Sequence, residues 1–221
     1  VQLGNQAGIT TGATWGTVTI SGDAGPANFN PAIKSFEVYA AQIDINGNLG
    51  FRDCCGPGSP LPVSFIANAG GDINVGTAPG LSGSFATIYV GDGHNINLAA
   101  GASGAGTLRI GGNVGTGIVV GESAANTGSM SLSGSNVVFS SSTTYGTRVA
   151  VNGLGNQTIT AQDSVRLVQT SGPGIWVQVA DGLQNVRTTN AAPAVSESNP
   201  TGAGLWISSA GATSGQASLN A

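Results

Sequence analysis

Few residues in this chain could move a proton or hold a metal. It has ten acids, six basic residues and a single histidine in 221 residues. Any such site must therefore be built around Asp72, Asp92 and His94, where acids and the histidine come nearest in sequence. A fold repeating at about the Asp72–Asp92 separation would put these carboxylates on adjacent coils, where with the imidazole they could share a metal ion or pass a proton. The competing reading makes Asp92-Gly93-His94 an exposed corner, and it is favoured because no further polar partners converge there. Gly70-Gly71-Asp72 matches the start of a calcium-binding nonapeptide but lacks its tandem repetition. Sugar hydrolysis needs paired carboxylates on one face, and the acids here are scattered. No catalytic residue, metal or cofactor is expected, and the chain is read as non-enzymatic.

Cys54 and Cys55 are adjacent. Neighbouring Cα atoms lie closer than an unstrained disulfide allows. The pair is read either as a cross-link to another subunit's loop in an oxidising setting or as reduced or locally bridged thiols in a protruding loop. Trp176 and Trp206 each follow the first apolar residue of a short alternating segment, so both are expected to face outward. Trp15 stands just before another such segment. Outward aromatics can form a ladder, bury against a neighbouring subunit or stack on sugars. Asn156-Gln157-Thr158 is a formal glycosylation acceptor but lies inside a repeated phrase.

That phrase is what would position these residues. Two or three alternating apolar residues are followed by a run of Gly, Ser, Asn and Thr. The clearest copies begin at Ala86, Thr107, Ser129, Thr147, Ile175 and Leu205, with starts roughly 18–30 residues apart, the range of solenoid repeats. One coil of such a stack cannot bury its apolar side alone. The expectation is an all-β parallel β-helix, a β-solenoid, spanning 1–221 as a single domain of eight to ten coils. Alternation in Ile43-Asp44-Ile45, Ile73-Asn74-Val75, Ile96-Asn97-Leu98 and Val165-Arg166-Leu167 marks strands with one buried face. Ile88, Leu108, Met130, Val149, Val177 and Ile207 are expected to stack as inward rows. No segment holds a helical period, and Gly, Ser, Thr, Asn and Val disfavour helix.

Asn46-Gly47, Asp92-Gly93, Asn152-Gly153 and Asp181-Gly182 follow strands directly and read as corners between coil faces. Segments 23–31, 52–62 and 191–204 break the rhythm. They carry prolines, which cannot donate to a ladder, and are expected to protrude as loops.

Composition excludes several partners. A net charge of −4 with a single lysine, Lys34, leaves no clustered basic surface for nucleic acid. No apolar run reaches the ~18–20 residues of a membrane-spanning helix, so membrane insertion is not expected.

The stretch Gly155-Asn156-Gln157-Thr158-Ile159-Thr160-Ala161, followed by Val165-Arg166-Leu167, resembles repeats of filamentous-haemagglutinin-like exoproteins of Gram-negative bacteria, the two-partner-secretion type. Ala69-Gly70-Gly71-Asp72-Ile73-Asn74-Val75 is similar, and Gly4-Asn5-Gln6-Ala7 is a diluted copy. The resemblance covers residues 36–190. It implies a right-handed parallel β-helix, secretion to the cell surface, and a role as adhesin, stalk or surface fibre.

Both ends of the chain carry repeat-like sequence: Val1 and Leu3 at one, Leu205, Ile207 and Leu219 at the other. Neither reads as a polar cap, and head-to-tail contact between copies does not close, so it would build a fibre. The first expectation is an extracellular structural subunit stacking on itself into a filament, sheath or stalk. The second is an adhesin shaft binding host or matrix glycans through outward aromatics and loops. A β-helix carbohydrate-active enzyme is the third.

Overall fold

The computed structural model describes residues 1–8, 15–51, 59–77, 85–141, 144–169, 174–190, 194–198, 205–209 and 216–220; for residue 15 and the last three segments this is the backbone alone. Its strands pair in parallel and stack as a β-solenoid.

Each coil has three sides. The first side stacks β1 (Gln2–Gly4), the first half of β3 (Ser35–Ile45), β5 (Ser64–Ala69), β8 (Ile96–Ala99), the first halves of β11 (Met130–Ser140) and β13 (Gln157–Val168), β15 (Leu183–Thr188) and β18 (Gln216–Asn220). The second side stacks β2 (Trp15–Ile20), the later parts of β3, β11 and β13, β6 (Ile73–Val75), β9 (Thr107–Ile110) and β16 (Ala194–Ser198). The third side stacks β4 (Asn48–Leu49), β7 (Phe85–Val90), β10 (Gly115–Val120), β12 (Thr147–Val151), β14 (Ile175–Val179) and β17 (Leu205–Ser209).

Alternation puts every second side chain inside. Leu49, Ile88, Ile118, Val149 and Val177 stand in register on the third side. Ile43, Ile73, Leu108, Val137 and Val165 do so on the second, and Phe65, Ile96 and Met130 on the first. All are buried, and each fully buried aliphatic side chain contributes about 1.5–3 kcal/mol of transfer free energy. The expected rows are therefore present but sorted differently. Leu108 and Met130 belong to other sides than Ile88, Val149 and Val177.

The repeated phrase marks a strand, and three strands close a coil, so the phrase recurs within a coil as well as between coils. Met130 and Gln157 are 27 residues apart, and Asn95 and Ser129 are 34.

The expected loops are only partly loops. Segment 23–31 includes a 3-10 turn at Pro26–Asn28, yet Ala24 bridges Leu49 within the stack. Leu61, at the end of segment 52–62, is buried and bridges Val90. β16 falls inside segment 191–204 and pairs with β13. Proline forbids only its own hydrogen bond, so a strand can start next to Pro193.

Two of the four expected corner glycines use the left-handed region, Gly93 at φ 74° and Gly153 at φ 62°. Gly47 and Gly182 instead lie where a Cβ would run into a carbonyl oxygen of the preceding coil, that of Gly22 or Gly155.

Candidate functional site

The stack separates the residues that sequence spacing brought together. Asp72 lies at the corner before β6. One of its oxygens accepts the Thr107 N–H at 2.8 Å, and the other accepts the Arg109 guanidinium at 2.5 Å, both from the next coil. Burial pushes its carboxyl upward, but these two donors outweigh it and hold the group below its ordinary value. Asp92 lies at a different corner, after β7. It accepts the Ser123 hydroxyl at 2.6 Å and the Glu122 N–H at 2.7 Å, again from the next coil. These donors also keep its carboxyl low. The two acids share no partner, and each ties its own corner to the coil after it. His94 is half-buried, and burial together with the Lys34 ammonium holds its imidazole below the usual value. Among the described residues, no three His, Cys, Asp or Glu side chains come close enough to hold a metal ion.

Trp176 projects outward from β14 as expected and is 36% exposed. Backbone register sets it between Arg148 and Trp206. For Trp15, Leu205, Trp206, Ile207 and Leu219 the described structure is backbone in β2, β17 and β18. Cys54 and Cys55 lie outside the described residues. Val1 is exposed and donates from its ammonium to the Ser35 carbonyl, while Leu3 packs against the edge of the core.

Sequence reasoning missed a row of side chains running along the first side. Ser64 Oγ accepts the main-chain N–H of Asn95 at 3.0 Å, and Asn95 Oδ1 accepts that of Ser129 at 2.8 Å. Ser129 Oγ accepts the N–H of Asn156 at 3.2 Å, and Asn156 Oδ1 that of Leu183 at 2.9 Å. Each acceptor serves the equivalent position one coil on. The signal was present in the sequence. Each residue stands immediately before the first inward residue of its strand, Phe65, Ile96, Met130 or Gln157. Asn156, which the sequence also offers as a formal glycosylation acceptor, is a rung of this ladder.

The ladder takes up one lone pair of each oxygen and none of the hydrogens. A backbone N–H needs an acceptor, which fixes the amide orientation of Asn95 and Asn156. Their NH2 groups, with the hydroxyl hydrogens of Ser64 and Ser129, find no protein acceptor among the described residues. They line one edge of an open groove of about 660 Å³. A second outward row, Asn97, Ser131 and Thr158, lies beside them in the same groove, and Lys34 stands at one end.

Two further ladders are internal. Gln157 and Gln184 are fully buried, and Gln184 Nε2 donates to Gln157 Oε1 at 2.7 Å and to the Val177 carbonyl at 3.0 Å. Asn126, also fully buried, joins three corners. Its Oδ1 accepts the N–H groups of Gly93 and Gly128, and its Nδ2 donates to the carbonyls of Asn152 and Gly128. Compared with known proteins, the chain matches no family model, no curated protein and no solved structure.

Proposed function

We propose that this chain is a non-enzymatic structural shaft, a β-solenoid subunit that stacks head-to-tail into an extracellular filament, sheath or stalk. The observation that carries the reading is how the polar side chains are used. Ser64, Asn95, Ser129, Asn156, Asp72, Asp92, Asn126 and Gln184 each hydrogen-bond a neighbouring coil. Such bonds, at about 0.5–1.5 kcal/mol net each, couple coils along the axis and stiffen the stack. Placement outside the cell rests on the resemblance to filamentous-haemagglutinin-like repeats. The test is electron microscopy and light scattering of the purified chain. Ordered polymers one solenoid wide are expected, and Ile207→Pro, which removes a ladder donor in β17, stops their growth. A chain that stays monomeric at high concentration overturns the filament.

A second reading, an adhesin shaft that binds glycans through outward aromatics, is favoured by Trp176. A tryptophan 36% exposed beside Arg148 offers a sugar-stacking surface. Loss of glycan binding in Trp176→Ala, with the fold retained, would support it.

A further inference from the structure

The geometry points to a second glycan site, the groove on the first side, shaped for a linear polysaccharide carrying uronate carboxylates and lying along the solenoid axis. It does not depend on the shaft reading and is separate from the Trp176 surface, which belongs to the third side.

The argument begins with the ladder. Because Ser64, Asn95, Ser129 and Asn156 each spend one of two oxygen lone pairs on the next coil's backbone, donor hydrogens outnumber the acceptor sites they turn to the groove. A ligand hydroxyl needs acceptors as well as donors to be fully satisfied, whereas a carboxylate only accepts. A donor-rich row therefore favours carboxylates, and Lys34 at the groove end adds the one lysine of the chain to that preference. The parallel row differs. Asn97, Ser131 and Thr158 have no hydrogen-bond partner among the described residues, so both their donors and their acceptors are open to sugar hydroxyls. The two rows together match a chain with carboxylates along one edge and hydroxyls along the other.

Spacing supports the axial orientation. Successive coils stand ~4.8 Å apart, close to the rise of one sugar in an extended linear chain, so each coil meets one residue of the glycan. The groove is open at the surface and within the size range of ligand sites, about 300–1,000 Å³. A peptide strand would seek a sheet edge, and this groove lies on a sheet face. Nucleic acid needs a basic stripe, and Lys34 is alone here.

The experiment measures retention of the purified chain by polygalacturonate and by neutral dextran in affinity electrophoresis. Retention by polygalacturonate and not by dextran is expected. The discriminating variant is Asn95→Asp with Asn156→Asp. Aspartate keeps the oxygen that accepts the neighbouring N–H, so the ladder and the fold survive, but it loses the NH2 donors and puts negative charge against the ligand. Circular dichroism checks the fold, and at least a tenfold loss of polyuronate affinity is expected. Lys34→Gln should weaken binding less, about threefold. Trp176→Ala should leave polyuronate binding unchanged. Equal retention by both polysaccharides, no retention by either, or full affinity in a folded Asn95→Asp/Asn156→Asp variant overturns the proposal. Binding lost in Trp176→Ala but kept in the aspartate variant also overturns it, while supporting the aromatic reading above.

Discussion

The Oδ1 atom of Asn156 accepts the main-chain N–H of Leu183, 27 residues later, at 2.9 Å. The bond joins the same position in two successive coils and ends a ladder that starts at Ser64. Both residues are exposed, so water can replace a lost acceptor. Asn156→Ala should cost about 0.5–1.5 kcal/mol, read as a fall in Tm of about 2–4 °C per kcal/mol for a chain of this size. Asn156→Asp should leave Tm within a degree or two of the parent. An equal fall in both variants would mean that the ladder does not stabilise the stack.

Asn126 predicts a much larger effect. It is fully buried, and removing its amide leaves the N–H groups of Gly93 and Gly128 and the carbonyl of Asn152 without their partner. The Gly128 N–H is buried and costs about 1–3 kcal/mol when stranded, whereas the exposed Gly93 N–H can turn to water. Asn126→Ala should therefore destabilise by about 2 kcal/mol or more in chemical denaturation. Asn126→Asp should not rescue it, because the carboxylate cannot donate to Asn152.

The buried glutamines predict the opposite sign. Gln184 Oε1 has no hydrogen-bond partner among the described residues, so this pair contains a polar atom that burial penalises. Replacing both Gln157 and Gln184 with Leu should match or exceed parent stability. Gln184→Leu alone should gain less, since it strands Gln157 Oε1. A double-mutant cycle reads this coupling directly.

Acid should destabilise the stack in two stages. His94 is held low by burial and Lys34, so as pH falls below about 6.5 the unfolded chain takes up the proton first and stability declines. Asp72 and Asp92 are held low by their donors. Their contribution is complete above the unfolded carboxylate value of about 3.9 and is lost as pH falls through their lower folded values. Tm measured against pH should dip first near pH 6 and fall steeply below about 4. His94→Gln should remove the upper step alone, and Asp92→Ala should flatten the lower one.

Corner glycines separate two kinds of strain. Gly93 and Gly153 both have positive φ, but a Cβ at Gly93 meets open space whereas one at Gly153 meets the Ser123 carbonyl at 2.7 Å. Gly93→Ala should cost about 1–2 kcal/mol from the backbone alone. Gly153→Ala should cost more, and denaturation of the two variants side by side measures the difference.

By itself the sequence determined which residues face inward. Alternation is local: once Ile88 or Val149 enters a strand, the period of two decides its side, and turn residues decide where the strand stops. That was enough to read an all-β parallel stack and to place Trp176 outward. Which strands share a side was decided only by the tertiary structure. A coil closes after three strands whose connections vary in length, so Leu108 and Met130, similar in phrase to Ile88, stack on other sides. Hydrogen bonds between coils depend on that register. The spacing of Asp72 and Asp92 suggested one site, yet they hold separate corners. Asn156 and Leu183 show no relation along the chain until closure of a coil sets one above the other, because a side-chain oxygen can meet a backbone N–H only where the stack brings both within hydrogen-bond reach.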